Sequence, residues 1–246
     1  MRKAHTAVIL FCLLVASVGV MGFQANPGAG RGSAQDYLNR SADAILALKS
    51  AHFSFKREGT PAVLDEKNGI TFTGAECAFS APSRVTCDLK VALKNGNILQ
   101  MTRVWVPEGT FQSNPLTRQF VKVPSDASFN LPVLFNKAGI PEIMRTSVQK
   151  AQVVGTETVQ NRRVVHVKGE VTGEKLNTVI GNSLQPALMY PVNIWIDERS
   201  AEPLKIHVGE PDGKGWLIEM FRANEPVDIP TPQVPPPAPP AQPGRL

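Results

Sequence analysis

The sequence has little of what chemistry on a substrate requires. Four histidines and three cysteines are spread over 246 residues. Only His52, His166 and His207 lie in the body of the chain. His166 alternates with Arg162, Val164 and Lys168, and His207 with Lys205, the pattern of a partly polar sheet face. No G-x-S-x-G, H-E-x-x-H or glycine-rich phosphate loop occurs. The stretch Gly181-Asn-Ser183-Leu-Gln185 lacks the second glycine of a nucleophile elbow. Asp65-Glu66 and Asp197-Glu198 are adjacent pairs beside turns, and neighbours on a strand point to opposite faces, so neither is a general acid/base pair. Cys77 and Cys87 have no histidine or further cysteine to complete a ligand set, so no metal or other cofactor is expected. Together these absences argue against an enzyme.

An excess of one charge is also missing where it would matter. Of 26 basic and 21 acidic residues, Arg2, Lys3, Arg31 and Arg245 lie in the terminal segments, where no acidic residue occurs. Removing those four leaves a body of 22 basic against 21 acidic residues. A near-neutral body excludes a nucleic-acid partner, because phosphate binding needs a concentrated basic face.

Long apolar runs are absent except at the start. Met1-Arg-Lys3 precedes the uncharged run Ala7–Met21, and Val20-Met21-Gly22 offers small or modest residues at a cleavage site. Residues 1–22 therefore read as an export signal, or as an uncleaved anchor in the membrane. Cys12 follows Phe11 in mid-run, so no lipid attachment site is expected. Residues 23–33, with Asn-Pro-Gly-Ala-Gly-Arg-Gly inside them, form a spacer. The tail 230–246 is proline-rich and nearly uncharged, hence extended and disordered rather than packed. Residues 34–229 remain as one domain, exported to the outer side of the cytoplasmic membrane.

What the body does have is alternation. Gln35–Ser50 is the best helix, with Leu38, Ala42, Ile45 and Leu48 at helical spacing. Arg84–Lys94 is the clearest strand: Val85, Cys87, Leu89, Val91 and Leu93 share one face. Asn95-Gly96 then predicts a two-residue hairpin turn. In that register Leu93 faces Ile98, Cys87 faces Val104, and Asp88 meets Arg103 on the other side. It also puts Trp105 on the outer face. Upstream, Cys77 and Cys87 are symmetric about Pro82, so they sit opposite each other. In an oxidising compartment they form a cross-strand disulfide, the alternative being two buried thiols. Phe120–Val123, Gln152–Val159, Arg163–Val171, Pro191–Asp197, Pro203–Gly209 and Gly215–Arg222 read as further strands. Gln160-Asn-Arg162 is a hairpin turn. Short helices are expected over Ile140–Lys150 and Glu174–Ser183, the latter with Leu176, Val179 and Ile180 inward. The order of elements does not alternate strand with helix, so the class is α+β: a large antiparallel sheet with a few helices on one face.

Three stretches carry a resemblance: Leu38-Asn-Arg-Ser-Ala-Asp-Ala-Ile-Leu-Ala-Leu-Lys-Ser-Ala-His-Phe-Ser-Phe55; Gly155-Thr-Glu-Thr-Val with Val165-His-Val-Lys-Gly169; and Val192-Asn-Ile-Trp-Ile-Asp197 with Pro203-Leu-Lys-Ile206. Together they resemble the mycobacterial LppX/LprA/LprF/LprG lipoprotein family, relatives of the LolA and LolB lipoprotein carriers. The likeness spans about Ala34–Ala223. It implies a curved half-barrel whose concave side, covered by helices, holds acyl chains. It also implies binding and transfer of lipids or acylated glycolipids in the envelope. The chain departs from the pattern in lacking a lipobox cysteine.

The apolar patterning points the same way. A curved sheet with too few covering helices leaves an apolar hollow, and acyl chains gain about 0.8 kcal/mol per methylene buried in it. The expected lining is Val85, Leu89, Val91, Leu93, Ile98, Val104, Ile194, Ile196, Leu204 and Ile206. The apolar stretch around Pro132, Gly139 and Pro141 supplies an expected lid of Leu131, Val133, Leu134, Phe135, Ile140, Ile143 and Met144. That lid is also the expected point of transient contact with a membrane. A monomer is expected. The other reading open to the sequence is an envelope sensor that uses the same fold to bind a protein partner.

Overall fold

The computed structural model describes residues 32–59, 61–65, 69–124, 130–181, 183–210 and 214–235. The expected export segment (1–22), the expected spacer up to residue 31 and the tail beyond residue 235 lie outside them.

Helix α1 (Ala34–Leu46) starts at a reciprocal cap. The Asp36 backbone N–H donates to Ser33 Oγ at 3.1 Å, and the Ser33 N–H donates to Asp36 Oδ2 at 2.8 Å. Ser33 therefore belongs to the folded domain rather than the spacer. The Ser33 N–H, followed by the Ser33 hydroxyl, holds the Asp36 carboxyl below its usual range. Leu38, Ala42 and Ile45 are buried. The helix stops before the predicted Ser50 because Ser50 is drawn into β1 (Ser50–Glu58), where it pairs with Ser80.

The remaining strands are β2 (Ala62–Asp65), β3 (Ile70–Ser80), β4 (Arg84–Ala92), β5 (Ile98–Val106), β6 (Gly109–Ser113), β7 (Phe120–Val123), β8 (Gln149–Val159), β9 (Arg162–Thr172), β10 (Met189–Asp197), β11 (Pro203–Gly209) and β12 (Gly215–Phe221). They form one antiparallel sheet in the order β7-β6-β5-β4-β3-β1-β12-β11-β10-β9-β8, with β2 added on β3. Two meanders, β3–β7 and β8–β12, are joined where the first strand pairs with the last, His52 opposite Phe221. The sheet is an open half-barrel, not a closed one, as the resemblance implied, and its antiparallel build is what the α+β patterning led one to expect.

The turns divide between two ends. One end, the rim, carries the β4–β5, β6–β7 and β11–β12 turns and the starts of β8 and β10. The other carries the β3–β4, β5–β6, β8–β9 and β10–β11 turns and the α1–β1 junction. At that second end the β8–β9 turn has two residues, not three: Gln160 and Asn161 are both left-handed (φ 51° and 59°), as a type I′ turn requires.

Cys77 and Cys87 are paired directly across β3 and β4, with Cα atoms 4.1 Å apart and a disulfide between them. The next hairpin differs from the sequence expectation by one residue. Ala92 pairs with Ile98 and Leu89 with Met101. The loop is Lys94-Asn-Gly96, with Gly96 at φ 83° and its N–H bonded to the Leu93 carbonyl at 2.8 Å. This is a three-residue loop ending in a left-handed glycine, the commonest competitor of the two-residue turn.

Because side chains alternate along a strand, that single step moves every β5 side chain to the opposite face. Ile98 is 70% exposed, whereas Met101 and Trp105 are buried on the concave side. Asp88 accepts from Thr102 Oγ1 at 2.7 Å rather than meeting Arg103. Arg103 instead donates to Gln112 Oε1 at 2.6 Å. Val104 turns to the convex face. There it forms a small second core with Val106, Phe111 and Ile229. The chain after β12 crosses over to bring Ile229 there, and Arg84 fixes it by donating to the Ile229 carbonyl at 3.0 Å. Residues 230–235 continue from this strap without helix or strand.

Candidate functional site

The concave face is divided into two unlike halves. Under the β1, β3, β4 and β5 strands it is aromatic and full. Phe53, Phe55, Phe72 and Phe79 are buried there, and a 3-10 turn over Leu131–Phe135 plugs it. Phe135 stacks on Phe79 (4.1 Å, 10° between planes) and meets Phe53 edge-on at 5.1 Å.

Under β9–β12 the face is aliphatic and holds a recess. Its floor is the alternating inward set Val171, Val192, Ile194, Ile206, Val208, Trp216 and Ile218. Its cover has two parts: the segment formed by α2 (Ile140–Glu142) and the π-helical turn Ile143–Ser147, and helix α3 (Gly173–Ile180). Ile140, Ile143, Met144 and Val148 line it from the first; Leu176, Val179 and Ile180 from the second. The free volume is about 30 Å³, space for roughly one or two waters. The covered hollow expected from the sequence is thus a narrow recess, with the cover packed down on the floor.

No lining residue titrates. The one polar side-chain group among the lining residues is the Trp216 indole N–H, which is buried and has no hydrogen-bond partner among the described residues. Its ring stacks on Phe55 at 4.9 Å, and the Arg57 guanidinium lies 5.1 Å from its centroid. Arg57 also forms an ion pair with Glu210.

The cover is tied down by a glycine at the start of each piece and by side-chain hydrogen bonds along it. A Cβ on Gly139 would lie 1.8 Å from the Val133 carbonyl oxygen, so only glycine permits the turn between the aromatic plug and α2. Gln35 Nε2 donates to the Met144 and Arg145 carbonyls at 3.1 and 3.2 Å, and Arg145 pairs with Asp43. For α3, a Cβ on Gly173 would lie 2.1 Å from the Gln185 carbonyl oxygen. Asn177 then brackets Leu184, donating to its carbonyl at 2.9 Å and accepting from its N–H at 3.0 Å.

The residues predicted from sequence are distributed as follows. Ile194, Ile206, Ile140, Ile143 and Met144 come together at the recess. Val85, Leu89, Val91 and Ile196 are buried in the main core, outside the recess lining. Leu204 is buried but does not line it, and Leu93 is half-buried in the β4–β5 turn. Ile98 and Val104 face away from the concave side because of the register step. Leu131, Leu134 and Phe135 are core residues of the aromatic plug, with Val133 half-buried against them. The floor also includes Val171, Val192, Val208, Trp216 and Ile218, which lie outside the lining expected from the sequence. The alternation of β10 and β11 marks their inward rows, but which part of a row lies under a gap in the cover depends on where α2 and α3 come to rest.

Outside the recess, the polar clusters hold the sheet. Asp197 is 5% exposed in the β10–β11 turn. Burial works to raise its pKa, but the Ser200 N–H, the Arg162 guanidinium and the Arg199 N–H outweigh burial and keep it below the usual carboxylate range. Arg162 binds both Asp197 and Glu202 at 2.8 Å. His166 stacks on Trp195 at 4.4 Å and contacts Asn193 Oδ1 and Glu157 Oε1 at 2.9 and 3.1 Å, within a ladder across four strands that Lys205 ends, 4.7 Å over the Trp195 ring. No group of histidine, cysteine, aspartate or glutamate that would hold a metal occurs among the described residues.

These features, an open antiparallel half-barrel with short helices over an apolar concave face, define a class, and comparison with known proteins places the chain within it. The family model described as "LppX_LprAFG lipoprotein" matches residues 33–229, and the chain belongs to that family. The fold is that of LprF from Mycobacterium bovis: TM-score 0.66 and 16% identity over 82% of this chain and 99% of that one. LppX from Mycobacterium tuberculosis has TM-score 0.58 and 14% identity over 80% of this chain and 98% of that one. None of the curated proteins compared with the chain matches it.

Proposed function

We propose that the domain is a non-enzymatic carrier that binds lipids or acylated glycolipids in the cell envelope and transfers them between acceptors. Membership of a lipoprotein family agrees with an exported location. The observation that carries the reading is the wholly apolar recess beneath a cover of two short pieces, α2 with its π turn and α3.

A recess of about 30 Å³ holds no acyl chain, so loading requires the cover to lift. The energy is sufficient. A chain of about fifteen methylenes gains about 12 kcal/mol on leaving water, against the ordering cost of binding and the apolar contacts the cover gives up. The cover is built for such movement: it is linked to the rest of the domain through glycines and side-chain hydrogen bonds, and its own backbone joins no sheet. A π turn, as in Ile143–Ser147, is a rare departure from helical pairing that occurs frequently at functional sites. Release then follows from lifting the same pieces near an acceptor.

Native mass spectrometry of the protein purified with its own lipids tests the reading, together with transfer of the bound species to acceptor vesicles. A lipid adduct that Ile143→Asp and Met144→Asp each abolish, with thermal unfolding still cooperative, is expected. Adduct-free protein that instead captures a partner ectodomain would replace the carrier reading with that of a sensor.

A further inference from the structure

We infer that the rim of the sheet, at the β4–β5 and β6–β7 turns, is the surface that docks on an anionic lipid bilayer. The inference deepens the carrier reading by saying which end meets the membrane.

The pairing register lines up Val63, Thr71, Ala92 and Ile98 as one row across β2, β3, β4 and β5 at this rim. Paired residues share a face. Val63 is 64% exposed and Ile98 70%, and Leu116, in the next turn along the same rim, is 85% exposed. Three large apolar side chains standing in water at neighbouring tips have no role in the core. The opposite end presents Asn161, Arg163, Glu198 and Ser200 at its turns.

Charge selects the partner. The turn segments 93–98 and 114–119 contain Lys94 and Arg118 and no acidic residue. Both cations are exposed, and neither makes an ion pair among the described residues. The Ile98 and Leu116 tips, each beside an exposed cation, match the interface of an anionic bilayer, with acidic Asp65 confined to the neighbouring Val63 tip, whereas an interface between two copies would bring Lys94 and Arg118 of each toward the other's.

Two further observations orient the molecule the same way. The recess lies at this end: Val171, Val208 and Trp216 are each one residue from the rim end of β9, β11 and β12. A chain leaving the recess by the shortest path meets the rim. The polypeptide also enters the fold on this side, since Gln35 hydrogen-bonds the carbonyls of Met144 and Arg145 a few residues ahead of β8. The apolar run Ala7–Met21 precedes that entry in sequence. The membrane contact expected of Leu131–Met144 moves to the hairpin tips, because Leu131, Leu134 and Met144 are at most 1% exposed.

The test uses the full chain with vesicles whose acyl chains carry bromine, made of phosphatidylglycerol and phosphatidylcholine or of phosphatidylcholine alone. Leu116→Trp places a fluorophore on the rim, and Ser200→Trp places one at the opposite end. The added emission of Leu116→Trp is expected to fall at least twofold on anionic vesicles and less on neutral ones. That of Ser200→Trp should not change. Lys94→Glu with Arg118→Glu, in the Leu116→Trp background, should remove most of the quenching. Equal quenching of the two probes, no quenching of the rim probe, or a doubled mass with the rim probe shielded from both vesicle types would overturn the inference. Lipid retention is read separately by mass spectrometry, so loss of the carrier reading and loss of the docking surface are distinguishable.

Discussion

Phe135 lies flat on Phe79, ring centroids 4.1 Å apart and planes within 10°, and this contact separates the fixed part of the cover from the part that covers the recess. The 3-10 turn carrying Phe135 is anchored in the aromatic half of the concave face; the α2 segment after Gly139 rests on a mostly aliphatic floor and is tied to α1 through Gln35 and Asp43. Phe135→Ala is expected to cost about 3–5 kcal/mol, the usual range for a buried phenylalanine, in urea unfolding. Phe135→Leu should cost distinctly less. Equal stability of the alanine variant and the parent would show that the plug is not packed as described.

The position of Arg103 gives a test of the β4–β5 register. A double-mutant cycle between Arg103 and Gln112 should show coupling of about 0.5–1 kcal/mol, typical of a partly exposed charged hydrogen bond. The cycle between Arg103 and Asp88 should give about zero. Strong Asp88–Arg103 coupling would restore the two-residue turn.

The strap at Ile229 makes an independent prediction. Ile229→Ala should destabilise the domain by about 2–4 kcal/mol through the cavity left beside Val104, Val106 and Phe111. Hydrogen exchange should rise in β5 and β6 and stay unchanged in β9–β12. Uniform loss of protection would mean that the two halves unfold only together.

Asp197 sets a pH dependence. Its carboxyl titrates lower in the folded protein than in the unfolded chain, so the stability it supplies is fully present above the unfolded carboxylate pKa of about 3.9. That stability is lost as pH falls through the folded value. Asp197→Asn should therefore be less stable than the parent at pH 7, by about 2 kcal/mol for a buried charge-assisted network. The gap should close as pH falls below about 4. A gap independent of pH would place the effect in side-chain shape rather than charge.

Much of the fold was legible because alternation and helical spacing are local. The inward rows of β4, β10 and β11, the buried face of α3 and the α+β class follow from periods of two and 3.6 residues. So does the Cys77–Cys87 pair, since a tight turn at Pro82 fixes which residues face each other. The first failure was also local, and the sequence held its warning. A register that sends Trp105 to the outer face conflicts with the burial of a large aromatic ring, and moving it by one residue resolves the conflict. The site was less legible. Ile194 and Ile206 line the recess while Val85 and Leu89, with the same periodicity, do not. The difference lies in which strip of floor the aromatic plug fills and which the short helices span.

The sequence by itself determined that this chain makes an antiparallel sheet with one apolar face and a few short amphipathic helices to cover it, because side-chain direction along a strand or helix depends only on spacing. Tertiary structure alone decided three things: that β12 joins β1 to merge two meanders, that the strap brings Ile229 onto Val104 at the convex side, and that the recess under the cover narrows to about 30 Å³. Each depends on contacts between residues far apart in the chain, whose free energy comes from the total area removed from water and not from any local pattern.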